Sequence, residues 1–551
     1  MQEARRDICI IGAGIIGTAI ARRLSRYKLK ITLIEKADDV AMGATKANSA
    51  IVHGGYAESN SKLKGRLCYQ GRRQFAQLDK ELNFGFQPIG SLVLTSNEED
   101  LPKLQELEAN GRKNGLTDLK ILTGDEIRAM EPAIHPDVRY GLYCEGAGIC
   151  SPYGMAIALA ENAIQNGVEL SLNEEILSIR REEDGYVLTT NRREIPTKYV
   201  INCAGIHSAK IAAMVHEPHF SIHPRSGEYI LCNRDTGKLL NKVAFQMPSA
   251  MGKGILVTPT VHGNLLIGPD AINVEGADRS THPDRLTNIF KQAMLTTPDL
   301  DPKWFLRSFA GIRAVSSTDD FIIEESVSPG FFHAAGIQSP GLTSSPAIAD
   351  MMVELLDKAG CVLEEDPSYD PIRKPLPFLE KRLSPAEVKE RLDASGPEQL
   401  ICRCEQVPRA VIEETLKRGI PINSVDAIKR RTRASMGACQ GGFQIGHRKI
   451  RTGNRFLHIA ENRIVVIGAI SLTAGIEHRL VHQQVALGGN GGCSDHRLRL
   501  GRLCGDNGFG GFRGHFCGGD FRHCGHCHRL LCGLHIFRFL VYHINTQPYH
   551  K

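Results

Sequence analysis

The chain has 551 residues, enough for several domain-sized cores, and its 42% hydrophobic and 23% charged content excludes a fibrous or wholly disordered protein. Its net charge of +6 points to a nucleic-acid or membrane partner only until it is located: residues 445–551 carry 14 Lys and Arg against 5 Asp and Glu, which leaves 53 against 56 before them. No apolar run approaches the ~18 residues of a membrane helix, no apolar leader precedes the first strand, and the tail's arginines lack an aromatic-interleaved recognition pattern. The expectation is therefore a cytoplasmic protein with at most peripheral contact with the inner face of the membrane and no specific nucleic-acid partner.

In chain order, residues 7–11 read as a buried parallel strand. Gly12-Ala13-Gly14-Ile15-Ile16-Gly17 then supplies a G-x-G-x-x-G turn, and residues 18–26 continue with helical apolar periodicity. Gly12 suits the tight turn, Gly14 the close approach of a pyrophosphate, Gly17 helix-strand packing, with the phosphates at the positive helix end. A second strand over residues 30–34 ends in Glu35, placed to accept a ribose hydroxyl, with Lys36 beside it. A glycine-rich turn of purely structural use is the bland alternative; strand, helix and terminal acid together favour dinucleotide binding. This motif does not separate FAD from NAD.

Later blocks do. The segment Gly43-Ala44-Thr45-Lys46-Ala47-Asn48-Ser49-Ala50-Ile51-Val52-His53-Gly54-Gly55-Tyr56 resembles the one that wraps the FAD pyrophosphate in the D-amino-acid oxidase and glycerol-3-phosphate dehydrogenase superfamily. The strand 199–203 ends in Ala204-Gly205. Residues 330–343, with Gly336, Ser339, Gly341, Leu342 and Thr343, resemble the last strand, loop and helix start that close over the flavin, where a helix N-terminus stabilises charge on the reduced ring. Residues 225–230, 251–259, 266–269 and 308–313 follow in the family's order, so residues 1 to about 360 resemble the FAD-dependent glycerol-3-phosphate dehydrogenase and oxidase family.

That resemblance implies an α/β fold with a Rossmann-like FAD-binding domain (1–80, 150–215, 306–360) and an inserted mixed-sheet substrate domain (81–149, 216–305). It implies oxidation of a small anionic secondary alcohol, foremost sn-glycerol 3-phosphate, by hydride transfer to flavin. The cofactor contacts are then Gly12, Gly14, Gly17, Glu35, Lys36, Thr45, Asn48, Ser49, Gly205, Gly336, Gly341, Leu342 and Thr343. His53 becomes the base, Arg313 the anion-binding group, and Lys253, Tyr229 and Ser339 further site residues. L-2-hydroxyglutarate dehydrogenase or oxidase shares these features and is the rival reading. An amine-oxidising relative and a flavoprotein scaffold with decayed catalysis stand behind it. The electron acceptor, a quinone or a partner protein, is not written in the sequence.

Residues 361–397, with Pro367, Pro371, Pro375 and Pro377, read as a linker that arrests helix and sheet. Residues 398–444 form a small helical cysteine module. Ile401-Cys402-Arg403-Cys404 and Gly437-Ala438-Cys439-Gln440-Gly441-Gly442, with a helix expected over 409–418, resemble the bacterioferritin-associated ferredoxin domain, whose four cysteines hold a 2Fe-2S cluster. Cys402, Cys404 and Cys439 match three of them, and Gln444 stands where the fourth is expected. A 2Fe-2S cluster and a folded, clusterless binding module both stay open. Residues 445–551 form an anomalous tail without sustained periodicity. It holds 6 of the 16 cysteines and 12 of the 21 histidines, a composition expected of an out-of-frame or otherwise altered reading. Its C-x-x-C-H string, Cys524-Gly525-His526-Cys527-His528, and the set Cys517, Cys524, Cys527 and Cys532 are read as chance rather than as haem or zinc sites.

Overall fold

The computed structural model describes residues 4–247, 254–440, 448–452, 455–460 and 463–467. The chain divides into two compact units, Met1–Leu472 and Thr473–Lys551, and every described residue belongs to the first.

Strand β1 (Arg6–Ile11) carries Ile8, Cys9 and Ile10 with no exposure, as a central parallel strand covered on both faces must. It pairs in parallel with β2 (Ile31–Glu35) on one side and with Glu194–Asn202 on the other, and helix α1 (Ile15–Leu24) makes the crossover. The sheet continues through Phe331–Ala335 to Ile322–Glu325 at one end and to Glu169–Leu172 at the other. α1 and the helices Pro152–Gln165 and Gly341–Lys358 cover one face with a shared core that includes Ile20, Leu24, Met155, Leu159, Ile348 and Met352. On the other face Ile11, Ile34 and Phe331 pack with Leu188 and Ile195 of the strands Gly185–Thr190 and Glu194–Asn202. This sheet has its open crevice at the carboxyl ends of β1 and β2, where α/β folds place their ligands.

A second, nine-stranded sheet runs mostly antiparallel. Its longest members, Ile222–Arg234 and Phe305–Ser316, pair from Ile222 opposite Ser316 to Cys232 opposite Phe305. The strand Phe305–Ser316, expected to return to the FAD-binding part at residue 306, therefore lies in the second sheet. Its long ladder with Ile222–Arg234 satisfies the backbone there, and the chain re-enters the first sheet at Ile322–Glu325.

Two further expectations need correction. Residues 361–397 are not devoid of helix: Pro385–Asp393 is helical. Ser384 and Glu387 form a reciprocal capping box, and Pro385 sits in the first turn, where its missing N–H costs nothing. Residues 448–467 were expected to lack regular structure, yet Arg448–Thr452, Arg455–Ala460 and Arg463–Ile467 form a three-stranded antiparallel sheet. The β-branched run Ile464-Val465-Val466-Ile467 is a local reason for it. The rest of the tail, with its cysteine and histidine strings, lies outside the described residues.

Candidate active site

The dinucleotide turn is built by steric exclusion. Gly12 has φ +102°, and a Cβ there would lie 2.6 Å from the Cys203 carbonyl oxygen; one on Gly17 would lie 1.9 Å from the Gly12 oxygen. α1 begins at Gly14 with no side-chain cap and no acid in its first turn. Of its opening amides, Ile15 N donates to Thr45 Oγ1 at 2.9 Å. At the end of β2 the Glu35 carboxylate accepts Ala13 N and Ala37 N, each at 2.9 Å. Burial pushes the Glu35 carboxyl up and these amides pull it back.

A cavity of about 1370 Å³ opens from this turn to the second sheet, above the usual ~300–1,000 Å³ of a small-molecule cleft. Gly12, Gly14, Glu35, Lys36, Thr45, Asn48, Ser49, Gly205, Gly341 and Leu342 line it. Gly17, Gly336 and Thr343 do not. Gly17 serves the turn, and Gly336 adopts φ +65° against Ser316. The glycine turn, the uncapped helix end, the terminal acid and the space fit an FAD.

Across the cavity, His53 is half-buried and fixed from several sides. Its amide donates to Thr343 Oγ1 at 2.9 Å, its ring stacks on Phe245 with centroids 5.8 Å apart, and its Nε2 lies 3.2 Å from Ser339 Oγ. Thr343 is fully buried and its hydroxyl reaches the Ile51 carbonyl at 3.4 Å, so it anchors the histidine's strand to the start of the helix Gly341–Lys358.

The charged wall comes from the second sheet. Arg313 sits opposite Arg225, Gly227 opposite Gly311, and Tyr229 opposite Phe309, with the two rings stacked at 4.8 Å. A Cβ on Gly227 would meet Arg313 Nη2 at 2.7 Å, so the glycine makes room for the guanidinium. Arg313 Nη2 donates to the Asp270 carbonyl at 3.3 Å. Asp270 is itself clamped: Arg285 donates to its carboxylate at 2.6 and 2.7 Å, and Glu228 N donates at 2.9 Å. Fully buried Glu228 completes the brace with Arg285 at 2.8 Å and His282 Nδ1 at 2.7 Å. Burial pushes the Tyr229 phenol up while Arg313 beside it pulls the other way.

The structure thus places His53, Ser339, Tyr229 and Arg313 on one cavity. Lys253 lies outside the described residues. Sequence reasoning missed Phe245, Asp270, Arg285 and Glu228; the one local signal was the spacing Arg225-x-Gly227-x-Tyr229, which alternates as one face of a strand.

The cysteine module docks beside this cavity. Asp39, fully buried on the loop after β2, accepts Arg430 Nη2 at 2.7 Å and Arg431 Nη1 and Nη2 at 2.8 and 2.7 Å. Burial raises its carboxyl, but the two guanidiniums outweigh that and hold it below its ordinary value. Glu405 joins Arg433 at 2.8 Å to Arg234 of the second sheet at 3.0 Å. Cys402 is buried with its Sγ accepting Ser435 N at 3.4 Å, and Cys404 hydrogen-bonds Cys439, its thiol pushed up to about 11 mainly by burial. Among the described residues no group of three or more His, Cys, Asp or Glu is arranged to hold a metal ion, and Gln444 lies outside them. No helix among the described residues is long and apolar enough to cross a membrane.

Known proteins match this architecture. The family model described as FAD dependent oxidoreductase matches residues 7–355. The chain is 42% identical over 441 residues to a glycerol 3-phosphate dehydrogenase of Caloramator mitchellensis, covering 79% of this chain and 92% of that one. It is 34% identical over 368 residues to a glycerol 3-phosphate oxidase of Mycoplasma pneumoniae, covering 64% and 94%. Among solved structures, dithionite-reduced L-α-glycerophosphate oxidase from Mycoplasma pneumoniae with FAD bound superimposes with a TM-score of 0.65 and 32% identity over 68% of this chain and all of that one.

Proposed function

The chain belongs to the family of FAD-dependent oxidoreductases, and on that premise we propose that it oxidises sn-glycerol 3-phosphate to dihydroxyacetone phosphate. The observation that carries the reading is the meeting, in one cavity, of a dinucleotide cradle, a histidine with its Nε2 on a serine hydroxyl, and an arginine that meets a backbone carbonyl and a phenol but, among the described residues, no carboxylate. The 42% identical dehydrogenase supports the substrate.

FAD, when bound, supplies the acceptor for the hydride that leaves the secondary carbon. His53 Nε2 takes the hydroxyl proton as the C–O bond gains its double-bond character, which requires the ring proton to sit on Nδ1. The Ser339 hydroxyl donates to Nε2 before substrate arrives and gives that place to the substrate hydroxyl. Phe245 keeps the imidazole plane fixed, and Arg313 holds the phosphate so that the carbinol carbon faces the flavin site. Lys253, by its position in the family pattern, is a further candidate for binding the substrate's anionic group. The cysteine module, tied down through Asp39 and Glu405, is read as a clamp on the dinucleotide loop.

Anaerobic titration of the FAD-loaded protein, followed by flavin absorbance, tests this. sn-Glycerol 3-phosphate should bleach the flavin and L-2-hydroxyglutarate should not. The reverse result would assign the enzyme to the hydroxyglutarate reading, and no bleaching by either would overturn both.

A further inference from the structure

Among the described residues, the well-buried arginines meet carboxylates: Arg285 meets Asp270 and Glu228, Arg373 meets Glu161, and Arg430 and Arg431 meet Asp39. This is the ordinary condition for taking a guanidinium out of water. Arg225 and Arg313 depart from it. Both are half-buried, both line the cavity, and neither has a carboxylate within ion-pair distance among the described residues.

Their placement is paired as well. Arg225 and Arg313 stand directly opposite each other in an antiparallel ladder, so they share a face and their Cβ atoms lie roughly 5 Å apart. Two residues along, Gly227 and Gly311 leave that face bare: a Cβ on Gly311 would lie 1.9 Å from the carbonyl oxygen of Ala47 in the dinucleotide loop. The floor of the cavity therefore carries the two arginines together, with the Tyr229 phenol beside Arg313. Arg225 spends Nε on Asn273 Oδ1 at 2.9 Å, which fixes the guanidinium plane and leaves both terminal nitrogens for a ligand. Arg313 is steadied from behind by Asp270, whose carbonyl it touches and whose carboxylate is neutralised by Arg285.

We propose that Arg225 is a second anion-binding arginine of this site, which together with Arg313 grips a phosphomonoester dianion and selects it over a carboxylate. A tetrahedral phosphate carries three terminal oxygens and close to two charges, enough for two guanidinium forks, whereas a carboxylate fills one fork and carries one charge. The inference rests on the glycerol 3-phosphate reading for its substrate but on the two arginines for its anion class, and the two are tested separately.

The full, FAD-loaded chain is titrated with inorganic phosphate by calorimetry, and with sn-glycerol 3-phosphate by steady-state kinetics, for wild type, Arg225→Gln, Arg225→Lys and Arg313→Gln. Arg225→Gln should weaken phosphate binding at least about tenfold, raise KM about 10- to 100-fold with a much smaller change in kcat, and flatten the gain in affinity as phosphate passes from mono- to dianion. Arg225→Lys should recover part of the affinity, and it carries the test if the glutamine variant does not fold. Phosphate binding and KM unchanged in Arg225→Gln would overturn the proposal, even if glycerol 3-phosphate reduces the wild-type flavin. Phosphate binding that depends on both arginines, in a protein that glycerol 3-phosphate does not reduce, would keep the clamp and discard the substrate reading.

Discussion

Two regions of this molecule place arginines on opposite terms. Where the cysteine module meets the dinucleotide loop, Arg430 and Arg431 close on Asp39, and all three side chains are buried. On the cavity wall, Arg313 and Arg225 meet a carbonyl, a phenol and an amide oxygen but, among the described residues, no carboxylate. A guanidinium closed on its own carboxylate holds structure together; one that faces an open cavity without a counter-charge is provisioned for a ligand that brings the charge. The comparison separates structural from functional arginines by their partners, which residue type alone does not do.

The sharpest way to break this comparison is to remove one charge from each region. Asp39→Ala leaves two buried guanidiniums without a partner and should cost about 3–5 kcal/mol of stability, read by urea denaturation. Arg313→Met should leave stability within about 1 kcal/mol of wild type yet lower kcat/KM by about 10²- to 10³-fold. An Asp39→Ala protein as stable as wild type, or an Arg313→Met protein that unfolds, would reverse the assignment.

A third buried group tests the rule away from the cavity. His333 has no exposure, its Nε2 finds no partner among the described residues, and its neighbours His216, His219 and Phe220 offer no negative charge within reach; Glu324 is engaged with His219. Burial, aided by His216 and His219, brings it down to about 4 from an ordinary 6.5. The folded state therefore binds a proton less readily than the unfolded one. Stability is full above pH 6.5 and falls as pH drops from 6.5 towards 4, by at most about 3 kcal/mol for this group. Urea denaturation at pH 7 and pH 5 should show the loss, and His333→Phe should remove most of the difference; an equal loss in the variant would place the acid sensitivity elsewhere. The smallest effect is expected at Gly227. Gly227→Ala pushes a methyl into the Arg313 guanidinium and should raise KM about tenfold with flavin content unchanged, whereas an unaltered KM would show that Arg313 does not need that exact seat.

The dinucleotide turn was legible because its signal is local: three glycines, a strand, a helix and Glu35 fall within a span of 30 residues. The family blocks brought His53, Ser339 and Arg313 forward, and strand pairing assembled them on one cavity. The brace behind Arg313 was not legible, since Glu228, Asp270 and Arg285 meet only through the pairing and packing of the second sheet. The tie between Asp39 and Arg430 spans 391 positions and has no local trace. The helix Pro385–Asp393 was legible in principle: Ser384-Pro385-x-Glu387 is a local start signal, obscured by the prolines before it.

The most direct test of the account is rapid mixing of FAD-loaded protein with sn-glycerol 3-phosphate under anaerobic conditions, comparing wild type with His53→Ala. The account predicts reduction of the wild-type flavin and a limiting reduction rate about 10²- to 10⁴-fold lower in the variant, with the half-saturating concentration little changed. Equal limiting rates in the two proteins would contradict it, because His53 would then not be the group that takes the proton.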